Sequence, residues 1–191
     1  AEFDAEIDRL KTIPRPANGR RQSYVVHPQS RTNSITPGIR ASIEVLMPGE
    51  VVELPPNNAS SVRLCIEGQG EARIDKSRFA VSLHDTWSAP NMASQTYANT
   101  GDVPHVRLVF SDAPLLEYLH ALYVSDGTAQ AAAPDGEAAA GAHQRHPMAD
   151  FIHQLPTGGG ALKTYHAFID PEVLEQTARL WRWEEVKAFL N

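Results

Sequence analysis

The sequence predicts a mainly β protein, built as a compact antiparallel barrel or sandwich with short helical ends. Three observations predict it. From Tyr24 the chain divides into short apolar segments, "SYVVH", "GIRASIEVLM", "VVEL", "SVRLCIEG", "GEARID", "RFAVSL", "TWSAP", "QTYANT" and "HVRLVFSD", separated by Pro, Gly, Asn and Asp. Segments this short and this regularly spaced suit antiparallel strands. "EGQGEA" and "TGDVPH" then place glycine where a tight turn requires positive φ. Finally, helical spacing of apolar residues occurs only before and after this block.

The helical pieces follow from periodicity. Over residues 2–13, Phe3, Ile7 and Leu10 recur at helical spacing among charges, which predicts a short amphipathic helix ended by "IPRPANGRR". After the last strand, "PLLEYLHALYV" carries Leu115, Leu116, Leu119 and Leu122 close to one helical face. The tract "SDGTAQAAAPDGEAAAGAHQR" has no large apolar residue to bury and reads as a linker or long mobile loop. Pro134 and the glycines interrupt the helix that its alanines would favour. Order resumes in "DPEVLEQTARLWRWEEVKAFLN", where Asp170 can cap a helix with Pro171 at its first position. Trp181, Trp183, Val186, Phe189 and Leu190 offer apolar anchors there. The expected division is a helical extension at 1–23, a barrel with its closing helix at 24–124, a linker at 125–147, and an extension with a docking helix at 148–191.

Bulk properties narrow the function. The 191 residues suffice for one well-buried domain with extensions, and 42% hydrophobic with 21% charged residues is a globular composition. No apolar run approaches the roughly 20 residues that span a bilayer, and the polar start "AEFDAEIDRLKT" does not read as a signal peptide. No membrane association is expected. Cys65 is the only cysteine, which excludes an intrachain disulfide and a thiolate zinc cage and fits a reducing cytoplasm. A formal net charge of −6 gives no basis for nucleic-acid binding, and the pair Arg20–Arg21 is too short to alter that.

Four stretches carry a resemblance: "MPGEV" at 47–51, "SSVRLCIEGQGEA" at 60–72, "APN" at 89–91 and "NTGDVPHVRLVFSDAPLLEYL" at 99–119. Together they resemble the two sequence boxes of the cupin superfamily. They are most similar to its gentisate 1,2-dioxygenase-like group, which includes the 1-hydroxy-2-naphthoate and salicylate ring-cleaving enzymes. The resemblance covers roughly residues 30–120 and implies a double-stranded β-helix barrel. It also implies an Fe(II) site in which a strand-borne H-x-H pair presents two imidazoles on one face, because side chains alternate with period two, and a third histidine comes from another strand. In this sequence the H-x-H positions hold Pro55 and Asn57, the third holds Gln95, and the following histidine position holds Tyr97. Proline has no ligating side chain, and neutral amides are poor ligands for Fe(II) beside imidazole. The expectation is a barrel without its metal and without a cofactor. His84 and His105 do not share a strand face with position 57 in this register.

Arg63 is retained where the family's arginine is thought to engage the substrate carboxylate, a role suited to a planar fork of donors. Arg40 and Glu44 stand where those enzymes typically have Trp and Gln pointing inward, and strand alternation puts 40, 42 and 44 on one face. Two readings follow. Arg63 with Glu44, or Arg40 with Glu44, forms a buried ion pair that fills an empty barrel. Alternatively Arg63, Arg40, Glu44, Asn57, Gln95 and Tyr97 surround a site for a small aromatic or organic acid. Cys65 alternates onto the face of Arg63 and is expected as a small core residue. His143, His146 and His153 form a weak surface-metal candidate, and "PTGGGA" lacks the Lys-Ser/Thr ending of a phosphate cradle. "RLWRWEEVKAFL" resembles the segment that leads to a second barrel in two-cupin dioxygenases. The expectation is therefore a metal-free binding or structural barrel, associating with copies of itself or with a second cupin barrel. The alternative is an Fe(II)-dependent ring-cleaving dioxygenase that uses a second barrel or non-standard ligands.

Overall fold

Alternation along β2 (Arg40–Leu46) organises the whole molecule. Ile43 and Val45 face outward and pack with Ile7 and Leu10 of α1 (Glu2–Thr12) and with Val106. Ser42, Glu44 and Leu46 face inward. The computed structural model describes residues 2–125, 152–154, 161–163 and 177–190. Helix α1 buries Ile7 and Leu10, while Phe3 remains 40% exposed, so the expected stripe is anchored only from its second turn.

The strands that follow are β1 (Arg21–Val25), β3 (Val51–Leu54), β4 (Ser61–Glu67), β5 (Gly70–Ile74), β6 (Ser77–Val81), β7 (Thr86–Ala89), β8 (Gln95–Ala98) and β9 (His105–Ser111). With the C-terminal strand β12 (Arg179–Trp181), a six-stranded sheet has the order β1-β2-β9-β4-β7-β12, and a four-stranded sheet has the order β3-β8-β5-β6. All named pairings are antiparallel. The sheets enclose a core to which both contribute, with Leu46, Cys65 and Trp87 from one and Val52, Ala72, Ile74, Val81 and Tyr97 from the other. Cys65 is a fully buried core residue.

Gly68 takes φ +74° in the β4–β5 turn, where a Cβ would lie 2.3 Å from the Pro104 carbonyl oxygen. Only glycine fits. Gly101 departs from the expectation: its φ is not positive, and its turn is closed by Asn99 Oδ1, which accepts from the Gly101 amide at 2.9 Å. The left-handed residue of the β6–β7 turn is His84, at φ +69°.

The two C-terminal expectations are revised. Helix α2 (Ala113–Tyr118) ends well before residue 124, because the chain beyond it turns to pair with residues 56–58. Leu115 and Leu119 are consequently exposed. "RLW" forms a strand, β12 (Arg179–Trp181), that adds to β7 at the sheet edge and is followed by α3 (Trp183–Leu190). Its anchor is Leu180, 4% exposed and in the core. Trp183 sets its ring edge-on to His84 at 5.6 Å. Asp85 holds this junction, accepting from Arg182 Nη1 at 2.8 Å and from the Trp183 amide at 2.9 Å. β10 (Ile152–Gln154) and β11 (Ala161–Lys163) pair antiparallel with each other. The expected linker beyond Ser125, the Asp170–Pro171 cap, "PTGGG", His143 and His146 lie outside the described residues, as does the side chain of His153.

Candidate functional site

The barrel interior is assembled by alternation on neighbouring strands. β2 supplies Arg40, Ser42 and Glu44, β4 supplies Ser61 and Arg63, and β9 supplies Arg107, Val109 and Ser111. Registry places Glu44 opposite Arg107, Arg63 opposite Val109, and Ser61 opposite Ser111. β8 contributes Gln95 and Tyr97 from the other sheet.

A cavity of about 270 Å³ opens among these residues. Of the candidates, Arg63, Arg40, Asn57 and Gln95 line it, together with Pro55. Glu44 and Tyr97 do not. Glu44 is 3% exposed and sits in an ion-pair cluster, with Arg107 Nη2 at 2.9 Å and Arg20 Nη2 at 2.7 Å. Tyr97 is fully buried, and the guanidinium carbons of Arg63 and Arg107 lie 4.6 and 4.5 Å from its ring centroid. Its hydroxyl donates to Gln95 Oε1 at 2.9 Å.

The ion pairs expected for Glu44 are replaced. Arg40 instead forms a two-pronged pair with Glu117, at 3.0 and 2.7 Å, and also donates to the Asn33 carbonyl. Among the described residues Arg63 has no carboxylate in contact; its Nη1 donates to Ser61 Oγ at 2.6 Å, and its buried Nε has no partner there. The residue is 3% exposed. Among the described residues, Arg20, Arg63 and Arg107 thus act on one buried carboxylate, Glu44, which leaves an excess of positive charge in this part of the interior.

That charge dominates the local electrostatics. Burial alone would raise the Glu44 pKa, but the fields of Arg107, Arg20 and Arg63 outweigh it and bring it down to about 2. Burial, reinforced by Arg107, lowers His105 to about 3. His105 is fully buried, and neither ring nitrogen has a hydrogen-bond partner. Burial also raises the Tyr97 phenol and takes the Cys65 thiol to about 11, so neither ionises near neutral pH.

The donors at the positions compared with iron ligands are a proline ring, two amides and a phenol. The Asn57 side chain is engaged within its own loop, with Oδ1 accepting from the Ala59 amide and Nδ2 donating to the Pro55 carbonyl. Among the described residues no group of three or more His, Cys, Asp or Glu side chains converges as a metal site. This donor set does not fit an Fe(II) centre, which calls for imidazole and carboxylate ligands.

Sequence reasoning missed Arg20, Gln22, Tyr24, Ser42 and Ser61, all of which line the cavity. The alternation 20, 22, 24 was the available signal. A strand read from Ser23 hides that signal, whereas β1 begins at Arg21, which pairs with Glu50 and donates to the Ile13 carbonyl.

The fold and this interior define a cupin barrel. The chain is 26% identical over 128 residues to 5-nitrosalicylic acid 1,2-dioxygenase from Bradyrhizobium sp., a match covering 64% of this chain and 62% of the relative. Salicylate 1,2-dioxygenase from Pseudaminobacter salicylatoxidans superposes with a TM-score of 0.67 at 18% identity, over 97% of this chain and 49% of that one. A gentisate adduct of a salicylate 1,2-dioxygenase superposes with a TM-score of 0.58 at 20% identity, over 66% of this chain and 36% of that one. The structural likenesses speak for the fold alone. No protein-family model matches the chain. The chain thus has a cupin fold and sequence similarity to a nitrosalicylate dioxygenase, and it spans about half the length of the solved enzyme it matches. No helix among the described residues is long and apolar enough to cross a membrane.

Proposed function

We propose that this chain is a metal-free cupin barrel that binds a small organic acid, with Arg63 engaging the carboxylate. The observation that carries the reading is the Arg63 guanidinium, 3% exposed, on the cavity wall and without a carboxylate in contact among the described residues. A buried cation without a counter-charge is costly, and a ligand carboxylate would supply that charge bidentately. Ser61, Gln95 and Asn57 add polar groups around it, and Leu54 and Val109 add apolar wall. The amide and proline donors at 55, 57 and 95 support the absence of iron. The test is calorimetric titration with salicylate, gentisate and benzoate, alongside elemental analysis of untagged protein. Binding lost in Arg63→Met with no stoichiometric metal is the expected result. Stoichiometric iron would overturn the metal-free reading.

A second reading rests on the homology to a nitrosalicylate dioxygenase. Here the chain is part of a ring-cleaving dioxygenase of a hydroxylated aromatic acid, and iron is held by a second barrel or a non-standard ligand set. Oxygen uptake with salicylate or gentisate and added Fe(II) tests it. No uptake by a metal-loaded assembly would reject it. Under either reading we propose that the chain acts with a second cupin barrel or a second copy, in keeping with a match over 49% of the solved enzyme's length. We assign the barrel to residues 24–124 with flanking extensions, and a cytoplasmic location.

A further inference from the structure

We infer that residues 119–125 form a lid over the Arg63 cavity, latched by Asn58 and by the Arg40–Glu117 ion pair, and that its release admits ligand. Leu122 and Val124 line the cavity from this segment, opposite the arginine-bearing strands. The latch is polar and local. Asn58 Nδ2 donates to the Ala121 carbonyl and Oδ1 accepts from the Tyr123 amide, both at 2.7 Å. The Asn58 amide donates to the Tyr123 carbonyl at 3.1 Å, and the Ser125 amide to the Pro56 carbonyl at 2.8 Å. Asn57 and Val124 complete an antiparallel bridge. At the near end, Glu117 of α2 is tied to Arg40 on β2 by its two-pronged pair.

Apolar burial holds this segment only weakly. Tyr118 is 77% exposed, Leu119 58%, Tyr123 54% and Val124 50%. A segment held by a few hydrogen bonds over little buried surface opens at a fraction of the global unfolding free energy. A hinge is present where α2 stops: His120 has φ +53°, a left-handed conformation that a residue with a Cβ rarely adopts. The loop "PPNNA", compared above with an iron-binding H-x-H segment, serves here as the clip. Asn57 shapes it through its internal bonds, and Asn58 reaches across to the lid. The lid stands on geometry alone; the nature of what it admits rests on the organic-acid reading.

The test uses the full chain carrying Ser42→Cys, a near-isosteric change at a cavity-lining position that is 2% exposed. Its modification rate by methyl methanethiosulfonate is measured with and without Asn58→Ala or Glu117→Gln, and the chain retaining Cys65 alone gives the background. Each latch variant is expected to accelerate modification by about tenfold, the effect of losing one or two hydrogen bonds. Faster hydrogen exchange at the Ser125 amide, which neither variant touches directly, should accompany it. Unchanged rates in folded latch variants would overturn the lid, and if Asn58→Ala fails to fold, Glu117→Gln decides. Salicylate titration is read separately: accelerated modification without salicylate binding keeps the lid and rejects the organic-acid reading.

Discussion

At the scale of single residues, the interior depends on how buried charges are matched. Glu44 is the counter-charge for Arg107 and Arg20, and Arg107 is 1% exposed. Glu44→Gln leaves Arg107 buried without a carboxylate and should cost about 3 kcal/mol, read as a lowered urea midpoint. Arg63 behaves differently, because among the described residues no carboxylate touches its guanidinium and it acts on Glu44 only through space. Arg63→Met should leave the urea midpoint within about 1 kcal/mol of the parent while weakening salicylate at least about tenfold. Arg63→Lys, which keeps the charge and loses the fork, should recover only part of that affinity. Legibility also divides here. Strand alternation correctly put Arg40 and Glu44 on one face. It could not give their partners, since Arg107 lies 63 positions from Glu44 and Glu117 lies 77 from Arg40.

At the scale of elements, β12 decides how the C-terminal segment joins the barrel. Leu180 enters the core from a three-residue strand, and Asp85 grips the residues after it through Arg182 and the Trp183 amide. Leu180→Ala should cost about 2–4 kcal/mol through lost burial and a residual cavity, measured by urea denaturation. Amide exchange should accelerate first in β12, which among the described residues is the edge strand of its sheet, paired with β7. The sequence showed the tryptophans and not this strand. A three-residue strand carries too few alternations to stand out from a helical pattern, and its identity comes from the free edge of β7 beside it.

At the scale of the whole molecule, buried ionisable groups set the acid limit. His105 is lowered from its ordinary 6.5 to about 3, so between those values the unfolded chain binds a proton that the folded one does not. Glu44 is lowered from 4.5 to about 2, so its contribution is present above 4.5 and is lost as pH falls through 2. Both make stability fall on acidification. His105 should remove about 2 kcal/mol between pH 7 and pH 4.5, seen as a drop in urea midpoint that His105→Asn flattens. Strand β1 lies at the edge of the larger sheet, with Tyr24 and Val25 40% and 38% exposed, and under the proposed association with a second copy or barrel this edge is the predicted seam. Sedimentation should give a mass of at least twice the 20.9 kDa of one chain.

The strand block and its antiparallel character follow from the residues alone, because Gly, Pro, Asn and Asp punctuate short apolar runs at a spacing that few folds accept. The sequence also sets which residue types stand at the key inward positions, since period-two alternation follows from the backbone. Only the packed sheets settle which charges meet, that "PPNNA" hydrogen-bonds to the segment after α2, that "RLW" adds to β7, and that Arg63 lines a cavity with no carboxylate among its described lining residues. Those outcomes depend on contacts between strands distant along the chain, and their distances and burial are set only when the two sheets close on one another.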